Sequence, residues 1–272
     1  MDTKIGAAWP SALADPSDRR ATKPRTSGLT MVIDNGMGPA AFADLLAVAG
    51  PYIDLVKFGF GTAPLYPLPL LREKIAMARR SGIAVFPGGT LLEAALQQRE
   101  EKGFFEMALD LGFDAVEVSD GTIELDRRTR DRLIRQAGRL GLRVFTEYGK
   151  KTPGSRIVID DLIRTVEEDC GCGAEMVTVE ARESGVGVGL YDEKGDCREE
   201  ELFALLRRLP DPSRMMWEAP HKNQQVALLR IVGADANLGN IPPLEAMALE
   251  TMRRGLRSDT FALHRRVFDY EI

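Results

Sequence analysis

The 272-residue sequence predicts a single-domain (β/α)8 TIM barrel on three observations. Short apolar runs alternate with helical patterns eight times. A glycine separates six of the helical segments from the next strand. The strand ends carry polar residues, which a barrel gathers around one mouth. Eight such units in about 245 residues suit a closed barrel better than an open doubly wound sheet.

Residues 1 to 27 mix Pro, Ser, Ala and charges without periodicity and read as an N-terminal arm rather than a packed element, with the barrel domain over 28–272. The first strand, 29–33, runs into Asp34-Asn35-Gly36. The second, 53–58, is apolar except for Lys57, whose ammonium must reach the mouth or find a buried anion. The third, 83–86, leads to Gly88-Gly89-Thr90, and the fourth, 115–118, holds Glu117 and continues into Ser119 and Asp120. The fifth, 142–145, is followed by Glu147-Tyr-Gly-Lys150-Lys151, and the sixth, 176–179, by Glu180-Ala-Arg182-Glu183-Ser184. The seventh, 214–217, precedes Glu218, and the eighth, 234–238, carries Asn237 and leads to Asn240. Gly50, Gly82, Gly112, Gly141, Gly173 and Gly233 stand where a helix ends in a left-handed residue.

Charged residues make up 28% of the chain and the formal net charge is -5, which indicates neither a nucleic-acid footprint nor a disordered polyelectrolyte. A small-molecule partner fits better. Cys170, Cys172 and Cys197 form no C-x-x-C spacing, so no disulfide framework or zinc site is suggested. No stretch resembles a signal peptide or a membrane span, and a cytoplasmic enzyme is expected.

Polar residues at the C-terminal ends of barrel strands read as catalytic. So many carboxylates around one mouth would be costly to desolvate without cations, which lysines and a divalent metal can supply. Oxygen donors are abundant and imidazoles scarce (His221 and His264), so Mg²⁺ suits the set better than zinc. For any single glutamate, a salt bridge at the rim is an equal alternative. Lys150 and Lys151 follow Glu147 in a loop where one could act as general acid. Backbone N–H groups around Asn237–Asn240, or the turn Gly185-Val-Gly-Val-Gly189, could hold an anionic group where a helix begins, although neither is a P-loop or a dinucleotide motif.

The segments Lys23-Pro-Arg-x-x-Gly-Leu-Thr, Val56-Lys-Phe-Gly-Phe-Gly-Thr62, Pro87-Gly-Gly-Thr90, Glu117-Val-Ser-Asp-Gly-Thr122 and Glu180-Ala-Arg-Glu-Ser-Gly185 together resemble the phosphosulfolactate synthase family. Glu218-Ala-Pro-x-Lys-x-Gln-Gln225, Asn237-Leu-x-Asn-Ile241 and Arg254-Gly-Leu-Arg-x-Asp-Thr260 extend the resemblance over nearly all of 23–261. It implies a barrel lyase that adds sulfite to phosphoenolpyruvate with Mg²⁺, on the route to coenzyme M, and a homo-oligomer. Sulfite would attack the terminal enol carbon, leaving a carbanion at the phosphate-bearing carbon for a lysine to protonate.

Carried over by motif, Lys151 is the expected proton donor, with Lys150 close behind. Glu117, Glu147 and Glu180 are the expected metal ligands. Lys57 and Arg182 are the cations for substrate anions, with Gly88, Gly89, Ser119, Asn237 and Asn240 as further binding residues. One departure stands out: where the family has Asp-Lys-Gly after the first strand, this chain has Asp34-Asn35-Gly36, so a positive charge near the mouth is missing. Phe60 replaces the family's usual tryptophan. Two other classes stay open at this point: a Schiff-base barrel aldolase working through Lys57 or Lys151, and a non-catalytic heat-stress-associated relative.

Overall fold

The computed structural model describes residues 9–261, so the first eight residues of the arm and residues 262–272 of the barrel domain, His264 among them, lie outside the description. Within it the alternation holds. Strands β1 (Thr30–Asp34), β2 (Leu55–Phe58), β3 (Ala84–Pro87), β4 (Ala115–Val118), β5 (Arg143–Tyr148), β6 (Met176–Val179), β7 (Met215–Glu218) and β8 (Asn237–Ile241) form one parallel sheet in the order β3-β2-β1-β8-β7-β6-β5-β4. That order is a ring cut once, between β3 and β4. At the cut, the Asp114 N–H donates to Val85 O at 3.0 Å, and the Asp114 carboxylate accepts from Val85 N–H at 3.2 Å.

The helices are α1 (Ser11–Ala14), α2 (Pro39–Ala49), α3 (Leu68–Arg80), α4 (Gly89–Gln97), α5 (Glu101–Leu111), α6 (Arg127–Arg139), α7 (Ile159–Cys172), α8 (Glu199–Leu206), α9 (Lys222–Ile231) and α10 (Ala246–Arg253). The strands are buried on both faces, as parallel strands covered by crossover helices must be. Two cores result. The larger lies between sheet and helices and includes Val32, Val56, Val116, Val177 and Trp217. The smaller takes Leu29, Met31, Leu55, Phe86, Ala115, Phe145, Met176 and Met216 from around the ring and fills its interior, where Phe86 and Phe145 stack with centroids 5.2 Å apart.

Side chains on a strand alternate between faces, so the residue two positions after each interior apolar one also points inward. Leu55 is followed by Lys57, Ala115 by Glu117, Phe145 by Glu147 and Met216 by Glu218. An apolar plug therefore closes the bottom of the barrel, and a charged layer rests on it.

Several boundaries differ from the sequence expectation. The eighth strand begins at Asn237 rather than 234, because Ala236 N–H bonds Gly233 O at 3.1 Å and uses 233–236 as a turn. The fifth runs to Tyr148 and the seventh to Glu218, which places Glu147 and Glu218 inside strands. Gly82, Gly112, Gly141, Gly173 and Gly233 have positive φ as expected. Gly50 does not: its φ of -50° continues α2 into a 3-10 turn, and without a Cβ it avoids the clash that other residues meet before a proline such as Pro51.

The described part of the arm, from residue 9 on, makes contacts with the barrel that its lack of periodicity did not suggest. Arg20 pairs with Glu250 at 3.0 Å, Arg25 with Asp54 at 2.9 Å, and the Lys23 ammonium donates to Ile53 O at 2.6 Å, so its basic residues tie it to the barrel. These contacts are local charge matches that periodicity cannot reveal.

Candidate active site

The charged layer opens into a cavity of about 350 Å³ lined by Lys57, Gly88, Gly89, Glu117, Glu147, Lys151, Glu180, Arg182, Glu218 and Asn240, with Phe60, Thr90, Thr122, Glu183 and Ser184 among the further lining residues. It lies at the C-terminal end of the strands, the catalytic end of this architecture.

At its floor the Lys57 ammonium is held by Glu218 at 2.9 Å, Glu117 at 3.2 Å and Glu147 at 3.9 Å, all buried. Burial alone would lower its pKa, but these carboxylates raise it well above the ordinary lysine value. Lys57 is thus a fixed cation. Lys151, with 28% of its side chain exposed, contacts Glu147 at 2.9 Å and Glu180 at 3.3 Å, and its ammonium donates to Thr90 Oγ1 at 3.4 Å. Its pKa is raised as well, again because the two glutamates outweigh burial.

The carboxylates divide by environment. Burial pushes Glu147 up, but Lys151 and Lys57 on either side hold it down at about 2. Burial raises Glu180 well above the carboxylate range, reinforced by the charges of Glu147 and Glu218. Of the two, Glu180 is therefore the one that holds a proton more readily. Glu117 is raised too, by burial, against the pull of Lys57. Main-chain donors fix the orientations: Gly89 N–H reaches Glu117 at 2.8 Å and Ala181 N–H reaches Glu218 at 2.9 Å.

Oxygen atoms of Glu147, Glu180 and Glu218 all lie within 4.8 Å of one another. A purely oxygen donor set with surplus negative charge fits a hard divalent ion. Of the three expected ligands, Glu147 and Glu180 are in this group. Glu117 is outside this group, and Glu218, which like Glu117 contacts Lys57, completes it. Glu218 was visible in the sequence as a polar strand end, but nothing there distinguished it from Glu117.

Other expected residues separate. Lys57, Lys151, Arg182, Gly88, Gly89 and Asn240 line the cavity. Arg182 and Asn240 hold left-handed backbone, with φ of 59° and 52°, and Phe60 does the same with 55°. Such conformations in non-glycine residues gather where a site constrains the chain. The Asn240 amide oxygen is buried without a hydrogen-bond partner.

Lys150 points away from the cavity, donating to Asp120 O at 2.7 Å and Ile123 O at 3.0 Å, because neighbouring residues of this loop face opposite sides. The Ser119 hydroxyl is committed to Glu93. Asn237 is at the other end of its strand, where its amide ties Leu29 N, Ser213 O and Met215 O at 3.0 Å each; the three-residue shift of β8 removes it from the mouth. Asn35, in the position of the missing lysine, donates to Glu183 at 2.9 Å and links the loops after β1 and β6.

A family model described as (2R)-phospho-3-sulfolactate synthase matches residues 18–259. The phosphosulfolactate synthase of Methanothermobacter thermautotrophicus is 47% identical over 243 residues, covering 89% of this chain and 94% of the relative. That of Bacillus subtilis is 38% identical over 246 residues, with 90% and 96% covered. The Arabidopsis thaliana protein HEAT-STRESS-ASSOCIATED 32 is 24% identical over 194 residues, covering 61% of this chain and 68% of that protein. Among solved structures, 3-hexulose-6-phosphate synthase from Salmonella typhimurium superposes with a TM-score of 0.55 at 15% identity, over 87% of this chain and all of that one, which bears on the fold alone.

Proposed function

The chain belongs to the (2R)-phospho-3-sulfolactate synthase family, and on that premise we propose that this lyase adds sulfite to phosphoenolpyruvate with Mg²⁺ as its cation. The observation that carries the reading is the convergence of Lys151 with Glu147, Glu180 and Glu218 on one cavity at the catalytic end of the barrel.

The sulfite sulfur donates its lone pair to the methylene carbon of the enol, and the double-bond electrons move to the phosphate-bearing carbon. That carbanion is shared with the adjacent carboxylate. Lys151 then gives its proton to the same carbon, forming the stereocentre, and the phosphate ester stays intact. Its pairing with Glu147 and Glu180 keeps Lys151 in the ammonium form, so a proton is in place when the carbanion forms. Glu147 stabilises the ammonium before transfer. Both substrates and the product are anions. Arg182, on the cavity wall, is the cation placed to hold them. Glu147, Glu180 and Glu218 would hold Mg²⁺. When bound, the ion would draw the substrate carboxylate's developing charge toward itself.

The carboxylates paired with Lys57 and Lys151 favour their ammonium forms, whereas an imine mechanism needs a neutral amine. The reading includes a cytoplasmic homo-oligomer. The three unpaired thiols support the first part, and Leu68 and Met107, exposed on an apolar groove, support the second; no described helix is long and apolar enough to cross a membrane.

The direct experiment incubates purified protein with phosphoenolpyruvate, sulfite and Mg²⁺ and follows phosphorus by NMR. Sulfite-dependent conversion of phosphoenolpyruvate to a new phosphate ester is expected. Absence of that conversion across pH and metal conditions would sink the reading.

A further inference from the structure

Helix α4 starts at the cavity with Gly89 and carries Glu93 one turn later. Glu93 is only 1% exposed, and no lysine or arginine pairs with it among the described residues. Its two oxygens take three donors, all from the segment after β4. The Ser119 hydroxyl bonds one oxygen, and the N–H groups of Thr122 and Ile123 bond the other at 2.7 and 3.0 Å. An amide in place of Glu93 would have to reverse the Ser119 hydroxyl into an acceptor of its NH2, whereas a carboxylate accepts all three donors. Burying such a group without a counter-ion is costly. The return is a rigid segment over 119–123.

That segment is the wall against which Lys151 is built. Gly121 O accepts the Lys151 N–H at 3.1 Å. A Cβ on Gly121 would stand 3.1 Å from Lys151 Cγ and Cε and 3.2 Å from Cδ, so the lysine stem lies directly on the glycine backbone. The same segment supplies the Asp120 and Ile123 carbonyls that hold Lys150. At Gly89, a Cβ would collide with the Ser119 hydroxyl, so the first turn of α4 is pressed onto the end of β4.

We infer that Glu93 is a positioning residue for Lys151, holding the 119–123 segment so that the lysine stem and head keep their alignment over the cavity. The inference rests on the role given to Lys151 above. Its test includes a readout that needs no turnover.

In full-length Glu93→Gln protein, hydrogen–deuterium exchange at the Thr122, Ile123 and Lys151 amides is expected to rise about tenfold or more, with the circular dichroism spectrum unchanged. In the sulfite and phosphoenolpyruvate assay, kcat falls about 10- to 100-fold with little change in KM, the signature of a misplaced reacting group. The double variant Glu93→Gln, Lys151→Ala is no slower than Lys151→Ala alone. Unchanged exchange at Lys151, or full additivity in the double variant, would overturn the inference. Should Glu93→Gln fail to fold, Ser119→Ala removes a single donor and is expected to give smaller changes in the same direction; unchanged exchange there overturns the inference equally. A wild-type protein that does not consume the two substrates refutes the proposed reaction and leaves the exchange result to decide the role of Glu93.

Discussion

At the scale of single residues, the site is a negotiation between burial and charge. Lys151 is the group on which the chemistry turns, and Lys151→Ala is expected to lower kcat by about 10²- to 10⁴-fold, the usual contribution of a general acid, while the protein still binds its anions. Steady-state kinetics that show only a rise in KM would assign Lys151 to binding instead. Glu147 gives a pH test. Its folded-state pKa, near 2, lies below the ordinary glutamate value of about 4.3. Its stabilisation is therefore complete above about pH 5 and is lost as the pH falls toward 2. Urea titrations should show Glu147→Gln less stable than wild type at pH 6, with the gap closing between about pH 4 and pH 2. A gap that stays constant into acid would mean that the lysines do not hold Glu147 down.

The residue scale also shows what the sequence could and could not reveal. Lys57, Glu117, Glu147 and Glu180 were legible because each interrupts or ends an apolar strand, and the two-residue alternation then turns it inward. The choice among carboxylates was not legible. Glu117 and Glu218 carry the same signal and both meet Lys57, and they separate only through distances across the barrel, where Glu218 and not Glu117 joins Glu147 and Glu180. Lys150 and Lys151 are likewise equivalent in sequence until the loop gives them opposite directions. Glu93 carried no signal, since a glutamate in a helix ordinarily reads as solvated surface.

At the scale of elements, the eight strands followed from composition and glycine punctuation, and their ends did not. Asn237 shows the cost of a boundary error. Reading 234–238 as strand put it near the mouth, whereas a turn over 233–236 puts it at the base of β8, bridging β1 and β7. Asn237→Ala would leave the Leu29 N–H and two carbonyls without these partners, and a loss of about 1–3 kcal/mol of stability is expected from urea midpoints. At a temperature where the variant is folded, its KM values should match wild type. A KM change without loss of stability would return Asn237 to the site.

At the scale of the whole molecule, the barrel gathers carboxylates from four different strand ends into one buried layer, which two lysines do not fully neutralise. A divalent ion should therefore stabilise the entire fold. Mg²⁺ at 100 times its dissociation constant is expected to add about 2.7 kcal/mol, visible as a rise in Tm that Glu147→Gln and Glu218→Gln both lack. EDTA should remove both the rise and the activity. An unchanged Tm in wild type would count against a resident metal.

The single cut in the ring has its own consequence. Between β3 and β4 the strands are joined near their bases through Asp114, and above that point α4 begins where further ladder pairing would otherwise continue. A fully laddered cylinder would spend every rim peptide on its neighbour. This one leaves the Gly89 amide unclaimed by an adjoining strand, and it is that amide which grips Glu117 from the side. The missing stitch thus provides the active centre with a donor that a seamless wall would have consumed.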